Sequence, residues 1–245
     1  MHHHNTILGQ MLKIFSRYEF QKAVSETGTE YHSRGFSSRN HFVAMLFGQL
    51  SGQDSLRGIE AGLATQGAML YHTGIKAVNQ STLAYANKHR THELFKKVFL
   101  AMLSKCEALA PRHKFRFKNP LYTIDATIIS LCLSLYDWAK FRTKKGAVKL
   151  HVKLNHSGYL PTFMVVTPGK VHETQVAPSV PPDRGDVAIF DKGYTNFAWY
   201  KSLDDKGVYF VTRMKRNAHY QVIERKDVSR FKYIRSDQIL KLKGF

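Results

Sequence analysis

The chain has 245 residues, 43% of them hydrophobic, which suits one large domain or two modest ones with a real buried core. Lys and Arg number 37 against 18 Asp and Glu, a formal charge of +19. Self-repulsion of that size works against the compact state, so a polyanionic partner is expected, nucleic acid first and an anionic membrane surface second. The charge alone also fits ribosomal attachment. Cys106 and Cys132 are the only cysteines, each inside an apolar segment and with no CxxC pair. That predicts reduced core thiols in a cytosolic protein rather than a disulfide framework. Met1 is followed by His2-His3-His4 and polar residues, so no signal peptide is read. The longest apolar stretches are too short or too polar to span a bilayer.

The first half reads as helical. Ile7, Leu8, Met11, Leu12, Ile14 and Phe15 recur at helical spacing, and a Ser-, Gly- and Thr-rich loop runs from Ser25 to Ser38. Phe42, Val43, Leu46, Phe47 and Leu50 form a second stripe, broken at Ser51-Gly52-Gln53-Asp54. Asp54 or Ser55 then caps a helix carrying Leu56, Ile59 and Leu63. Two short helices around a Gly-containing turn fit a helix-turn-helix or an ordinary helical hairpin, with DNA contact open to either. Ser81 is the expected cap of the next helix, which ends on Lys88, His89 and Arg90, a dipole-suited C-terminus or a phosphate contact. Thr91 caps a long helix with Leu94, Val98, Met102 and Cys106 on its apolar face, stopped by Pro111. The basic–aromatic run Arg112 to Lys118 is a solvated linker, an edge strand or a strand along DNA backbone.

The second half reads as a sheet. Tyr122-Thr-Ile-Asp125-Ala-Thr-Ile-Ile129 is rich in Ile and Thr, with Asp125 mid-strand among apolar neighbours. A buried carboxylate there needs a partner, a proton or a metal. Lys149 to Asn155 alternates polar and apolar as a half-buried strand, and Pro161 to Thr167 returns, giving a three-strand antiparallel meander. His172 and Glu173 are ligand or base, or simply polar residues opening a helix. Asp186 to Phe190 is a short buried strand ending on Asp191, and Thr195 or Asn196 caps a helix from Phe197 to Lys206 before a strand at Val208 to Met214. This strand–helix–strand unit is a crossover, and in open α/β sheets sites lie beyond the carboxyl ends of such strands. Between Arg112 and Lys153 ten Lys and Arg face only two acids, Asp125 and Asp137, and basic residues interleaved with aromatics suit phosphate.

If Asp125 and Asp191 converge, two carboxylates about 4 Å apart repel by roughly 4 kcal/mol at an effective dielectric of 20, so they share a proton or bind cations. All-oxygen ligands select Mg²⁺ or Mn²⁺. With a basic chain and no P-loop, that points to phosphodiester chemistry.

The motif order Tyr-Thr-Ile-Asp125-Ala-Thr, Ile-Phe-Asp191-Lys-Gly-Tyr-Thr-Asn196 and Val-Tyr-Phe-Val-Thr-Arg213-Met-Lys215 resembles the DDE transposases of the IS4 family of bacterial insertion sequences. Gln49-Leu-Ser-Gly-Gln-Asp-Ser-Leu-Arg-Gly-Ile-Glu60 is similar to the helical domain that often precedes such a core. The resemblance implies an α+β or α/β fold, with a helical DNA-binding domain at residues 1–76, connecting helices at 77–117 and an incomplete RNase H-like mixed-sheet core at 118–245. It implies Asp125 and Asp191 as catalytic Mg²⁺ (or Mn²⁺) ligands. Arg142, Lys145, Lys149, Lys192, Tyr194, Asn196, Arg213 and Lys215 become the expected DNA-binding residues. The expected partners are double-stranded DNA, both transposon ends and target, and a second copy of the chain as a homodimer in the bacterial cytoplasm, with no membrane. The family's third carboxylate sits in a Tyr-x2-Arg-x3-Glu-x6-Lys motif that does not occur in this sequence. A truncated transposase with impaired catalysis is therefore expected, against a non-catalytic DNA-binding inhibitor or a stand-alone RNase H-like nuclease.

Overall fold

A computed structural model describes residues 7–31, 33, 35–67, 69–131, 140–142, 145–180 and 182–243, without the side chains of 69, 72, 131, 140–142 and 145. The chain divides into two compact units, Met1–Lys105 and Cys106–Phe245.

The first unit is helical: α1 (Ile7–Ile14), α2 (Arg17–Thr27), α3 (Ser38–Leu50), α4 (Leu56–Thr65), α5 (Met69–Thr73), α6 (Gln80–His89) and most of α7 (Glu93–Leu109). The start of α2 was not read from the apolar periodicity. Ser16 Oγ accepts from the Glu19 N–H at 3.1 Å while Glu19 Oε2 accepts from the Ser16 N–H at 3.0 Å. This reciprocal capping box satisfies two otherwise orphaned donors. Ser55, one of the two expected caps, accepts from the Gly58 N–H at 3.0 Å.

The expected Ser81 cap is displaced. Asn79 occupies the cap position without a side-chain hydrogen bond, and Glu60 of α4 accepts from the Gln80 N–H at 3.0 Å. A tertiary contact thus replaces the local one. Helices of the connecting segment pack into the first unit: Leu83 of α6 is buried with Val43, Ala44, Ile59 and Leu63. Leu94 and Val98 of α7 pack with Phe15, Phe20 and Val24. The last turn of α7 is exposed, and Cys106 with it. The expected core thiol is therefore at the surface, because α7 outruns the cluster that covers its first turns. Cys132 lies outside the described residues.

The second unit holds β1 (Leu121–Leu131), β2 (Lys140–Arg142), β3 (Lys145–Asn155), β4 (Leu160–Pro168), α8 (Glu173–Val176), β5 (Val187–Phe190), α9 (Phe197–Asp205), β6 (Tyr209–Thr212), β7 (Tyr220–Lys226) and β8 (Asp237–Leu242). Six strands make one sheet in the order β2–β3–β1–β5–β6, with β4 also on β3. β1, β3 and β4 form the antiparallel meander, and β1, β5 and β6 run parallel. Asn196 caps α9 by accepting from the Trp199 N–H at 3.0 Å, and this helix is the crossover that parallel pairing of β5 and β6 requires. The helical first half followed by a mixed sheet is an RNase H-like α+β arrangement. β7 and β8 form a separate two-stranded sheet, which the sequence reading did not anticipate.

The alternation of β3 is real, but its polar positions are the ones turned inward. Lys149, His151 and Lys153 are buried, while Leu150, Val152 and Leu154 are half-buried. Lys153 pairs with Asp186 at 3.7 Å, with the two side chains 6% and 4% exposed, and its ammonium lies 3.9 Å from the Tyr122 ring centre. Burial lowers the Lys153 pKa, and Asp186 and Asp183 offset only part of that. Such a pair gains little over apolar residues, yet losing one partner strands a charge. Lys153→Met is expected to cost about 3–5 kcal/mol in urea unfolding, and adding Asp186→Leu to recover much of it.

Candidate active site

β1 and β5 are adjacent parallel strands whose last paired residues are Ile124 and Phe190. The next residue on each is an aspartate, Asp125 and Asp191. Neighbouring strands lie about 4.8 Å apart, so the two residues follow adjacent paired positions at the carboxyl end of β5. Both are exposed. For Asp125, which is mid-strand in β1 as expected, this corrects the burial expected from the sequence. β1 is 11 residues long and β5 is four, so from Asp125 onward β1 has lost that flanking strand. Thr127 to Ser130 are exposed for the same reason.

Each carboxylate is held by its own loop or strand. Asp125 Oδ1 accepts from the Ala126 N–H at 2.7 Å. Asp191 Oδ1 accepts from the Gly193 N–H at 2.8 Å and caps a 3-10 turn, Lys192–Tyr194. Gly193 leaves room for this: a Cβ there would stand 2.9 Å from Asp191 Oδ1. Behind the turn, the fully buried Tyr194 places its hydroxyl 3.2 Å from His151 Nδ1, and His151 Nε2 lies 3.1 Å from Thr167 Oγ1. Burial pushes the Tyr194 pKa far up, and the charges of Asp125, Glu173 and Asp191 add to it. All three acids are thus within electrostatic reach of one buried hydroxyl.

Glu173 is committed elsewhere. Lys149 Nζ donates to Glu173 Oε1 at 2.8 Å and to the Val171 carbonyl at 2.9 Å. Burial raises the Glu173 pKa, but the Lys149 ammonium outweighs it and leaves the group below the ordinary carboxylate value. His172 caps α8, so the helix-opening reading of His172 and Glu173 fits the geometry.

The expected DNA-binding residues fall into four groups. Lys192 and Lys215 are exposed and line one open cleft of about 410 Å³ with His172, Asp191 and Arg216. Arg213 is exposed on the same segment after β6. Lys149 and Tyr194 are buried and partnered inside, so neither presents its polar group to a duplex; they support the Asp191 turn and α8 from behind. Asn196 spends its amide on the cap of α9 and on a 3.5 Å contact to the Thr174 carbonyl. The side chains of Arg142 and Lys145 lie outside the described residues. Arg216 was missed, although its adjacency to Lys215 was a legible signal.

Two carboxylates fit part of the ligand set of a hard divalent cation. Each keeps its second oxygen clear of hydrogen bonds among the described residues, and oxygen donors suit Mg²⁺ or Mn²⁺. Among the described residues no group of three His, Cys, Asp or Glu side chains is placed to hold a metal.

A family model for the transposase DDE domain matches residues 116–243. The chain belongs to the DDE transposase family. A domain of unknown function (DUF4372) matches residues 3–76. The chain is 27% identical over 218 residues to a probable transposase for insertion sequence element IS5377 of Geobacillus stearothermophilus, covering 89% of this chain and 55% of that protein. It is 28% identical over 149 residues to y4zB of Sinorhizobium fredii, also named as a transposase, covering 61% of this chain and 41% of the other. The chain spans about half the length of the curated relatives it matches. No helix among the described residues is long and apolar enough to cross a membrane.

Two outcomes follow. Burial, then Lys149, holds the His151 pKa below its ordinary value against the opposing Glu173, and burial does the same to His41 in the helical unit. The unfolded chain then takes up protons that the fold refuses. Stability is full above the ordinary histidine pKa of about 6.5 and falls as pH drops below it. Urea midpoints should decline through that window, and His151→Gln should flatten the decline. Separately, Gly193→Ala forces the Asp191 carboxylate to swing away. It should weaken Mn²⁺ binding roughly 10–100-fold by isothermal titration with little change in the melting midpoint.

Proposed function

We propose that this chain is the DNA-binding and cleavage portion of an insertion-sequence transposase of the IS4 type, with Asp125 and Asp191 as two of its Mg²⁺ or Mn²⁺ ligands. The observation that carries this reading is the β1–β5 register, which sets the two aspartates on adjacent strands past Ile124 and Phe190. A cation bound there supplies activation of the attacking water or hydroxyl and stabilisation of the leaving oxygen.

The chain's own residues do the rest. Lys192, Lys215 and Arg216 meet the phosphates on either side of the scissile bond, close to Asp191. Arg213, with Arg142 and Lys145, extends the contact along the backbone. Tyr194 and His151 fix the turn that aims Asp191, and Asn196 fixes the helix behind it. The substrate is double-stranded DNA, transposon ends and target, bound by a homodimer at the bacterial nucleoid.

No third carboxylate joins the pair among the described residues. The Tyr-x2-Arg-x3-Glu-x6-Lys motif is also absent from these 245 residues, and on our reading their cleavage is impaired. The same observation favours a second reading, a non-catalytic DNA-binding form that inhibits the full enzyme. On a duplex carrying the element's own ends, the chain should bind with affinity that falls at high salt, unchanged by Asp125→Ala, and show no Mg²⁺-dependent nicking. Nicking by this chain would overturn the missing ligand, and absence of end-specific binding would overturn both readings. Reduced transposition when the chain is added to an active full-length enzyme would select the inhibitor.

A further inference from the structure

We infer that Lys13, Arg17 and Arg39 of the helical unit form a binding pocket for a phosphate group, either a DNA backbone phosphate or free inorganic phosphate. The pocket is open, about 300 Å³, and is lined by these three cations together with Ser16 and Thr73.

Arg39 leaves the first turn of α3 and reaches the Thr73 carbonyl with Nη2 at 3.5 Å, the outer limit of a hydrogen bond. Its Nε is buried and has no hydrogen-bond partner among the described residues. Arg17 arrives from the first turn of α2. Its Nη2 lies 2.5 Å from where a Cβ on Gly74 would stand, and Arg39 Nε lies 3.9 Å from the same point. Two guanidiniums therefore converge over one glycine, whose φ of 73° and missing side chain make the space.

No carboxylate among the described residues makes an ion pair with either. The acid in the first turn of α2, Glu19, is held by Ser16 and Lys105. Burial and the nearby Arg17 charge both oppose the protonated form of Arg39. Like charges set side by side, one with an unmet buried donor, cost free energy that a bound anion offsets. Guanidinium forks match phosphate oxygens in pairs, and Lys13 adds a point charge at the rim. The pocket rests on these side chains alone. Only the DNA assignment leans on the transposase reading.

The test uses the 245-residue chain, Arg17→Gln and the double variant Arg17→Gln/Arg39→Gln. Inorganic phosphate should raise the melting midpoint of the parent and not of either variant. If the pocket takes a DNA phosphate, Arg17→Gln should also weaken duplex binding and reduce the slope of log K against log salt by about 1. A phosphate-dependent midpoint shift lost in the variant, with duplex binding unchanged, assigns the pocket to free phosphate. An unchanged shift and unchanged duplex affinity in Arg17→Gln overturn the inference. Arg17 is exposed, so this single variant decides even if the double variant does not fold. Absence of end-specific duplex binding with the phosphate-dependent shift intact removes the transposase reading and keeps the pocket.

Discussion

The parallel pairing of β1 with β5 is the constraint on which the candidate site depends. It brings together residues 66 positions apart, and its register is fixed by packing. Ala188 and Phe190 face inward, where Phe190 lies 4.8 Å from the Trp199 ring and 5.8 Å from Phe210. A slip of one residue would send those side chains to the half-buried face and bring Val187 and Ile189 in. It would also shift Asp191 out of step with Asp125 along the strands. The hydrophobic cluster under α9 thus sets the geometry of two exposed carboxylates it does not touch.

The inward face of β3 ties the remaining parts to that register. Lys149 holds Glu173 at the start of α8, His151 holds Tyr194 in the turn after Asp191, and Lys153 holds Asp186 just before β5. Buried charges of this kind add little net stability. Their effect is on alternatives, since a shifted β5 or α8 would leave at least one of them buried without a partner. Lys149 and Lys153 also contribute to the +19 formal charge without adding a cationic surface. Among the described residues, the cations beside Asp191 are Lys192, Lys215 and Arg216, with Arg213 exposed on the same segment.

Much was legible in the sequence. The helical first half, the caps at Ser55 and Asn196, the meander and the crossover through α9 are local features, each carried by side-chain period and by a residue type that a helix end or turn requires. The Asp-Lys-Gly-Tyr strand end had the same character, because a glycine is needed where the Asp191 carboxylate folds over the turn. The capping box at Ser16 and Glu19 was equally local and went unread, since an apolar stripe running up to Phe15 masked the break after it.

What the sequence could not decide was which side of an alternating strand is inside. Lys149, His151 and Lys153 look like a solvent face by composition, and only partners contributed by Glu173, Tyr194 and Asp186 make their burial tolerable. The exposure of Asp125 likewise depends on where β5 stops, a fact of another strand. The amino-acid order determined most of the elements, the family and the candidate aspartates, because those rest on short-range periodicity and motif. The tertiary structure decided which polar groups are buried, which cations stay exposed and that Glu173 belongs to Lys149, because burial and pairing are set by residues far apart in the chain.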